Sequence, residues 1–370
     1  MEWSFGSPIW VNNEPEVEIA CNRILANILA LPACQAFFEE LFILAAAIPH
    51  IPVKVTYVTG NHDRAINNYA SLQQRIRKQF KSIDLKICNY LHLNKYSLLC
   101  RHGHEWDDTC FGYEFARKVL DLSMKGRFDP ACYKVQNIGE VITAEIMGGI
   151  IYRLNNTFQW QGRYDELINH IKDINNVRPA LSAINCLFWS TSEEFNNEQK
   201  NDITEALWKS LEVFLNTSLA QMWIKLYIDL PLPGKISKSF LLLNNLLKDD
   251  NFDSLHKVLE IIKAAGKYFK TPADIYLKGA MADFARYPKV RFVIYGHTHQ
   301  AKDVIIENKK EKGSYRYINT GTYLPQIEEA KVNGFGISKR MTITFIYSKK
   351  ENGSSKGEIY IAGILELFER

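Results

Sequence analysis

At 370 residues, with 46% hydrophobic content and a formal net charge of +4, the chain is long enough to bury a large core and to form one elaborated domain or two. The mild charge excludes the basic stripe of an electrostatic nucleic-acid binder, and the longest apolar stretch, Leu41 to Ile48, is too short to span a bilayer. Seven scattered cysteines without a CxxC pair, and an N-terminus lacking the basic and apolar regions of a signal peptide, predict reduced thiols in a soluble cytoplasmic protein.

Helical spacing runs from Glu16 to about His50, with Pro32 separating two helices. Val53 to Val58 is a β-branched run that reads as a buried strand, followed by a helix from Asn68 to Phe80 and strands over Leu85–Leu91 and Tyr96–Cys100. From about Tyr113 to Tyr287 alternation gives way to helical periodicity, as in Ile203-Ala206-Leu207-Leu211 and Leu255-Val258-Leu259-Ile262, with Pro231 and Pro233 breaking the region in two. Strand character returns at Val290–Tyr295, Asp303–Ile306, Tyr315–Asn319, Met341–Ile346 and Glu358–Ala362. The polar stretch 348–357 reads as the hairpin loop between the last two.

Three of these strands end in a Gly/His cluster: Gly60-Asn61-His62-Asp63, His102-Gly103-His104 and Gly296-His297-Thr298-His299. Glycine lets a chain turn sharply off a strand, and neutral imidazole is the commonest protein ligand for transition metals. Five of the nine histidines lie in these clusters. Ligands gather beyond the carboxyl ends of strands in open α/β sheets, so three such ends meeting in one crevice would assemble a metal site from distant sequence. His104 reads equally as a ligand or as a neighbour of one. Arg64 and Arg101 read as surface salt-bridge partners more readily than as phosphate contacts, and Asp107 and Asp108 as caps of the following helix. The spacing His102-x-His104-x-x-Asp107 also approaches a metallo-β-lactamase motif, but the Asp is displaced and a further His is missing.

The ordered set Gly-Asn-His-Asp, His-Gly and Gly-His-Thr-His, with the closing Asn319-Thr320-Gly321-Thr322, resembles the calcineurin-like metallophosphoesterase superfamily over residues 53–108 and 290–323. The resemblance implies an α/β (α+β) fold: a metallophosphoesterase-type β-sandwich flanked by helices, with a large all-helical insertion. Residues 1–112 and 288–370 would form the two parts of the core and 113–287 the insertion. It implies a phosphoesterase that hydrolyses a phosphomono- or diester with a metal-bound hydroxide, on two divalent ions (Mn, Fe or Zn) about 3.5–4 Å apart. Carried over, Asn61, His102 and His297 ligate one metal and His299 the other. His62 faces the phosphate as proton donor, with Asp63 orienting it.

The superfamily pattern also begins with Asp-x-His and Gly-Asp-x-x-Asp, and neither is present: no Asp precedes Asp63, and His50 alone precedes His62. Three metal ligands are therefore absent, and the remaining set is expected to hold at most one ion, weakly. The reading favours a natural start upstream, by about 40–80 residues, and an impaired chain as it stands. The alternatives are a non-catalytic, degenerate member acting as a binding or scaffold protein, and a second chain that supplies the missing strands. A nucleic-acid phosphodiesterase is disfavoured by the weak charge.

Overall fold

The computed structural model describes residues 14–178, 186, 195–229, 275–308, 313–329, 334–347 and 359–368. The break at Pro231 and Pro233, the helical spacing at 255–262 and the hairpin loop at 348–357 lie outside them. Within them the chain is mixed α/β. Helices α1 (Glu14–Leu29) and α2 (Pro32–Ala47) are separated at Pro32, which occupies the first turn of α2, where its missing N–H costs nothing. Strand β1 (Lys54–Val58) leads into α3 (Arg64–Asn68) and α4 (Ala70–Gln79), and β2 (Asp84–Cys88) then pairs with β1 in parallel. Val17, Cys21 and Leu25 of α1 pack with Ile66, Leu72 and Ile76 of α3 and α4.

A five-stranded sheet carries the centre of the molecule, in the order β3-β4-β6-β8-β7. Its strands are β3 (Tyr90–Leu93), β4 (Leu98–Arg101), β6 (Phe292–Tyr295), β7 (Ala301–Asn308) and β8 (Gly313–Thr320). β4, β6 and β8 are parallel neighbours; β3 and β7 close the two edges in antiparallel pairs. The alternation of β6, with Val293 and Tyr295 fully buried, and the burial of Leu99 of β4 place one face of this sheet against Ala280 and Phe284 of a later helix.

Among its described residues, the middle of the chain is mostly helical. It contains α5 (Tyr113–Lys118), α6 (Ile138–Val141), α7 (Gly149–Asn156), α8 (Asp165–Lys172), α9 (Asn197–Asn216), α10 (Ser218–Asp229) and α11 (Ile275–Arg286). A π-helical segment, Ile142–Gly148, joins α6 to α7. Helices α5 to α10 share a core around Trp160, Leu154, Leu207 and Leu211, whereas α11 packs on the five-stranded sheet. The two-residue strand β5 (Val177–Arg178) leaves this region and pairs with β9 (Gln326–Glu329), extending a second sheet whose order is β11-β10-β9-β5. Its other strands are β10 (Phe335–Ile346) and β11 (Ile359–Phe368). β9 is short and polar, and its sequence shows no strand period.

No single helix among the described residues is long and apolar enough to cross a membrane; α1 and α2 reach that length only as a pair bent by 67°. No residue of α2 is fully buried, and Phe37, Ile43 and Leu44 are more than half exposed.

One buried ion pair ties α11 to the ends of β4 and β6. Arg101 Nε donates to Asp283 Oδ2 at 3.1 Å, and the same carboxylate oxygen accepts from the Tyr295 hydroxyl at 2.6 Å. Both charged side chains are fully enclosed. Arg101 is therefore no surface salt bridge, because a guanidinium shut away from water needs its counter-charge at hand. It also stacks 3.9 Å from the Phe128 ring centroid and lies 3.8 Å from Glu105. Burial would ease its proton off, but the Asp283 and Glu105 carboxylates keep it charged. Replacing Asp283 with Ala strands that charge, and we expect a loss of about 3–5 kcal/mol in unfolding free energy, read from the denaturant midpoint; a change under about 1 kcal/mol would show that Arg101 finds another partner.

Candidate metal centre

Because β4 and β6 run in parallel with Leu99 opposite Val293, their ends deliver His102 and Gly296 side by side, and Gly296 N–H donates to the His102 carbonyl at 2.9 Å. The end of β1 approaches from the other side. A Cβ on Gly60 would lie 2.9 Å from His102 Cε1, so only glycine lets this turn close against the imidazole. Gly103 is needed for a different reason: its φ is +101° and a Cβ there would press on Tyr295.

The sharp turn after β6 is not made at Gly296, where an added Cβ would meet nothing closer than 3.7 Å. It is made by the histidines themselves. His297 and His299 have φ of 63° and 62°, in the left-handed region that costs a non-glycine residue about 1–2 kcal/mol. Asn319 secures this loop from β8, its amide donating to the Gly296 carbonyl and its Oδ1 accepting from Gly321 N–H.

Three sequence-distant side chains meet here. Asn61 Oδ1 lies 3.0 Å from His102 Nε2 and 3.2 Å from His297 Nδ1. An octahedral ion with metal–ligand bonds of about 2.0–2.1 Å places neighbouring ligand atoms about 2.8–3.0 Å apart, so this spacing suits ligation as well as hydrogen bonding. His104 is buried behind them, its ring 5.2 Å from that of His102 and packed edge-on against Phe111. Burial pushes the imidazole of His102 well below its ordinary value, and His104, His297, His62 and His299 push the same way. His104 is lowered by burial and then by His297. Both are held in the neutral form that a metal requires.

His62 is exposed and His299 half-exposed; both lie near enough to weigh on His102. Asp63 is buried, accepts Gly60 N–H at 3.0 Å and faces the Tyr57 hydroxyl, which burial and then this carboxylate push well above its ordinary value. Arg64 pairs with Glu140 at 2.7 Å and is thereby engaged within the protein.

Asp107 corrects the helix-cap expectation. The helix that follows, α5, is entered through Gly112. Asp107 Oδ1 instead accepts from the backbone N–H and the hydroxyl of Thr109, at 2.9 and 2.6 Å. Its Oδ2 faces His297 Nε2 and the Tyr276 hydroxyl, each at 3.3 Å. Asp108 turns away to Arg127. Burial alone would raise the Asp107 carboxyl, but His297 and Thr109 outweigh it and hold it well below the usual carboxylate range. With Cys110, these residues form a cluster able to hold a metal: one donor atom each from Asp107, Cys110 and His297, all within 4.8 Å of one another. The His-x-His-x-x-Asp spacing already marked Asp107. Cys110, three residues on, and Tyr276, on α11, have no local signal.

Lowered imidazoles bear on acid stability. Folded His102 and His104 stay neutral at pH values where their unfolded counterparts, with pKa about 6.5, take up protons. Their contribution is therefore complete above about pH 6.5 and falls as pH drops below it, by up to about 1.4 kcal/mol per pH unit for each ring. The metal-free protein should show a lower denaturant midpoint at pH 5 than at pH 7, and His104→Gln should reduce that difference; equal midpoints in the parent protein would show that neither ring is held neutral.

No protein-family model matches the chain, and no curated protein or solved structure matches it either.

Proposed function

We propose that this chain is a metal-dependent phosphoesterase of the calcineurin-like metallophosphoesterase type, its core the corresponding β-sandwich, acting on a phosphomono- or diester. The observation that carries the reading is the convergence of Asn61, His102 and His297 at three strand ends, with ligand atoms 3.0 and 3.2 Å apart. A divalent ion there supplies Lewis-acid stabilisation of phosphate charge and a water of lowered pKa. The chain's own residues do the rest. Gly60 admits the turn that brings Asn61 to the imidazoles, and Asn319 holds the His297 loop in place. His62, exposed, would hand a proton to the departing oxygen, a role imidazole suits near neutral pH. His299, near enough to weigh on His102, would ligate the second ion.

A second reading, a non-catalytic binding protein of the same type, is favoured by one observation: α2 leaves Phe37, Ile43 and Leu44 in solvent, an apolar face suited to a partner.

Bound manganese and hydrolysis of a generic aryl phosphate, measured together on the full chain, separate the two. The enzyme reading expects Mn2+-dependent turnover that a chelator removes, and a fall of at least about 100-fold in Asn61→Ala and in His102→Ala, both losing bound metal. His62→Ala should slow an alkyl phosphate by about 10²–10⁴-fold, and an aryl phosphate far less, because a phenolate leaves without a proton. Absence of turnover with metal bound would leave the binding reading standing. Turnover unaffected by chelation would remove the metal-dependent reading.

A further inference from the structure

We propose that Asp107, Cys110 and His297 form a thiolate-containing site for a single thiophilic divalent ion, Zn2+ or Co2+, distinct in its donors from the Asn61–His102 side of His297. The two sites use different nitrogens of one ring: Nδ1 faces Asn61 and Nε2 faces Asp107. A sulfur, an imidazole nitrogen and a carboxylate oxygen are a donor set that suits zinc-like ions better than Mg2+ or Mn2+, which prefer oxygen.

The geometry is prepared on all three sides. Metal bonds of about 2.3 Å to sulfur and about 2.0–2.2 Å to nitrogen or oxygen put tetrahedral ligand atoms about 3.3–3.7 Å apart. His297 Nε2 and Asp107 Oδ2 already stand at 3.3 Å, and Cys110 Sγ lies within 4.8 Å of a ring nitrogen of His297 and of a carboxylate oxygen of Asp107. Asp107 is fixed in this direction because Thr109 occupies its other oxygen through two hydrogen bonds, the kind of support that orients metal-binding carboxylates. The backbone of Cys110 is set by its N–H bond to the Asp107 carbonyl at 3.0 Å. On its far side Gly139 approaches so closely that a Cβ there would lie 3.1 Å from the sulfur. Three protein donors would leave a fourth position for a water or a substrate atom, as in catalytic zinc sites; the Tyr276 hydroxyl meets the Asp107 carboxylate at 3.3 Å.

Cobalt titration of the chelator-stripped full chain, followed by electronic absorption, tests this. A thiolate ligand gives a near-ultraviolet sulfur-to-cobalt charge-transfer band together with intense visible bands from low coordination. The band should appear in the parent protein, vanish in Cys110→Ser with the circular dichroism unchanged, and persist in His102→Gln. A measurement independent of any variant uses Zn2+ and iodoacetamide: bound zinc should slow alkylation of Cys110, mapped by mass spectrometry, by at least about tenfold, since the metal-held sulfur is no longer a nucleophile. Absence of the band, its survival in Cys110→Ser, its loss in His102→Gln, or Cys110 alkylation unchanged by zinc would each overturn the proposal. Mn2+-dependent hydrolysis that persists in Cys110→Ser would sustain the phosphoesterase reading on its own, so the two can fail separately.

Discussion

Asp283 is the anion on which the geometry of the centre depends. It is fully buried, and it binds the final residue of β4 and the final residue of β6 at once, through Arg101 and Tyr295. The next residue after Arg101 is His102, and the second after Tyr295 is His297. A carboxylate on one helix therefore sets the lateral spacing of two imidazoles that lie 5.3 Å apart, ring to ring. Two further contacts stiffen the same corner: Trp106 donates to the Tyr295 hydroxyl at 3.0 Å, and Tyr133 donates to Glu105 at 3.1 Å. Glu105 in turn accepts the Gly103 N–H at 2.9 Å, so the turn that carries His102 and His104 is held from beneath. Such a network is costly to assemble in a low dielectric and justifies itself through fixed geometry more than through net stability.

The left-handed histidines fit the same account. A glycine at 297 or 299 would relieve the backbone, yet histidine occupies both positions at a cost of about 1–2 kcal/mol each. Strain of this kind persists only where the surroundings over-determine it. Here Asn319 grips the loop before His297, and Gln326 of β9 donates to the His299 carbonyl. The loop is thus braced by two sheets, one of which the helical middle of the chain extends through β5.

Much of this could be read from the sequence where the signal is local. Pro32 announced the division between α1 and α2, apolar runs announced β1 and β6, although β1, read as buried, has no fully buried residue, and the Gly/His clusters marked the strand ends that the fold brings together. What escaped was set by distance. Arg101 and Asp283 are 182 positions apart, and nothing near either one reveals a buried partner, so Arg101 read as a surface charge. Asp107 looked like a helix cap because Asp before a helix usually is one; its Thr109 bonds satisfy that local preference in a turn, leaving the other oxygen for His297. Gly296 looked like the hinge because glycine usually is, whereas the left-handed residues follow it. β9 was invisible because four residues, two of them glutamates, carry no period that local pattern can detect.

The orientation of a single amide sets how many protons or cations the cluster asks for. With its nitrogen toward the imidazoles, Asn61 would donate to both rings, and His297 could keep its one proton on Nε2 for Asp107; every group would then be satisfied without an ion. With its oxygen toward them, as here, Asn61 asks a proton or a cation of each ring, and His297 faces an acceptor at both nitrogens. A neutral imidazole carries one N–H. Two acceptors and one proton leave a deficit of one positive centre. A second ring proton, which would make His297 an imidazolium beside Asp107, removes that deficit, and so would a divalent ion at either nitrogen while the proton remains on the other. The same count limits a neutral His297 to one ion at a time, because it has a single lone pair in the ring plane to give.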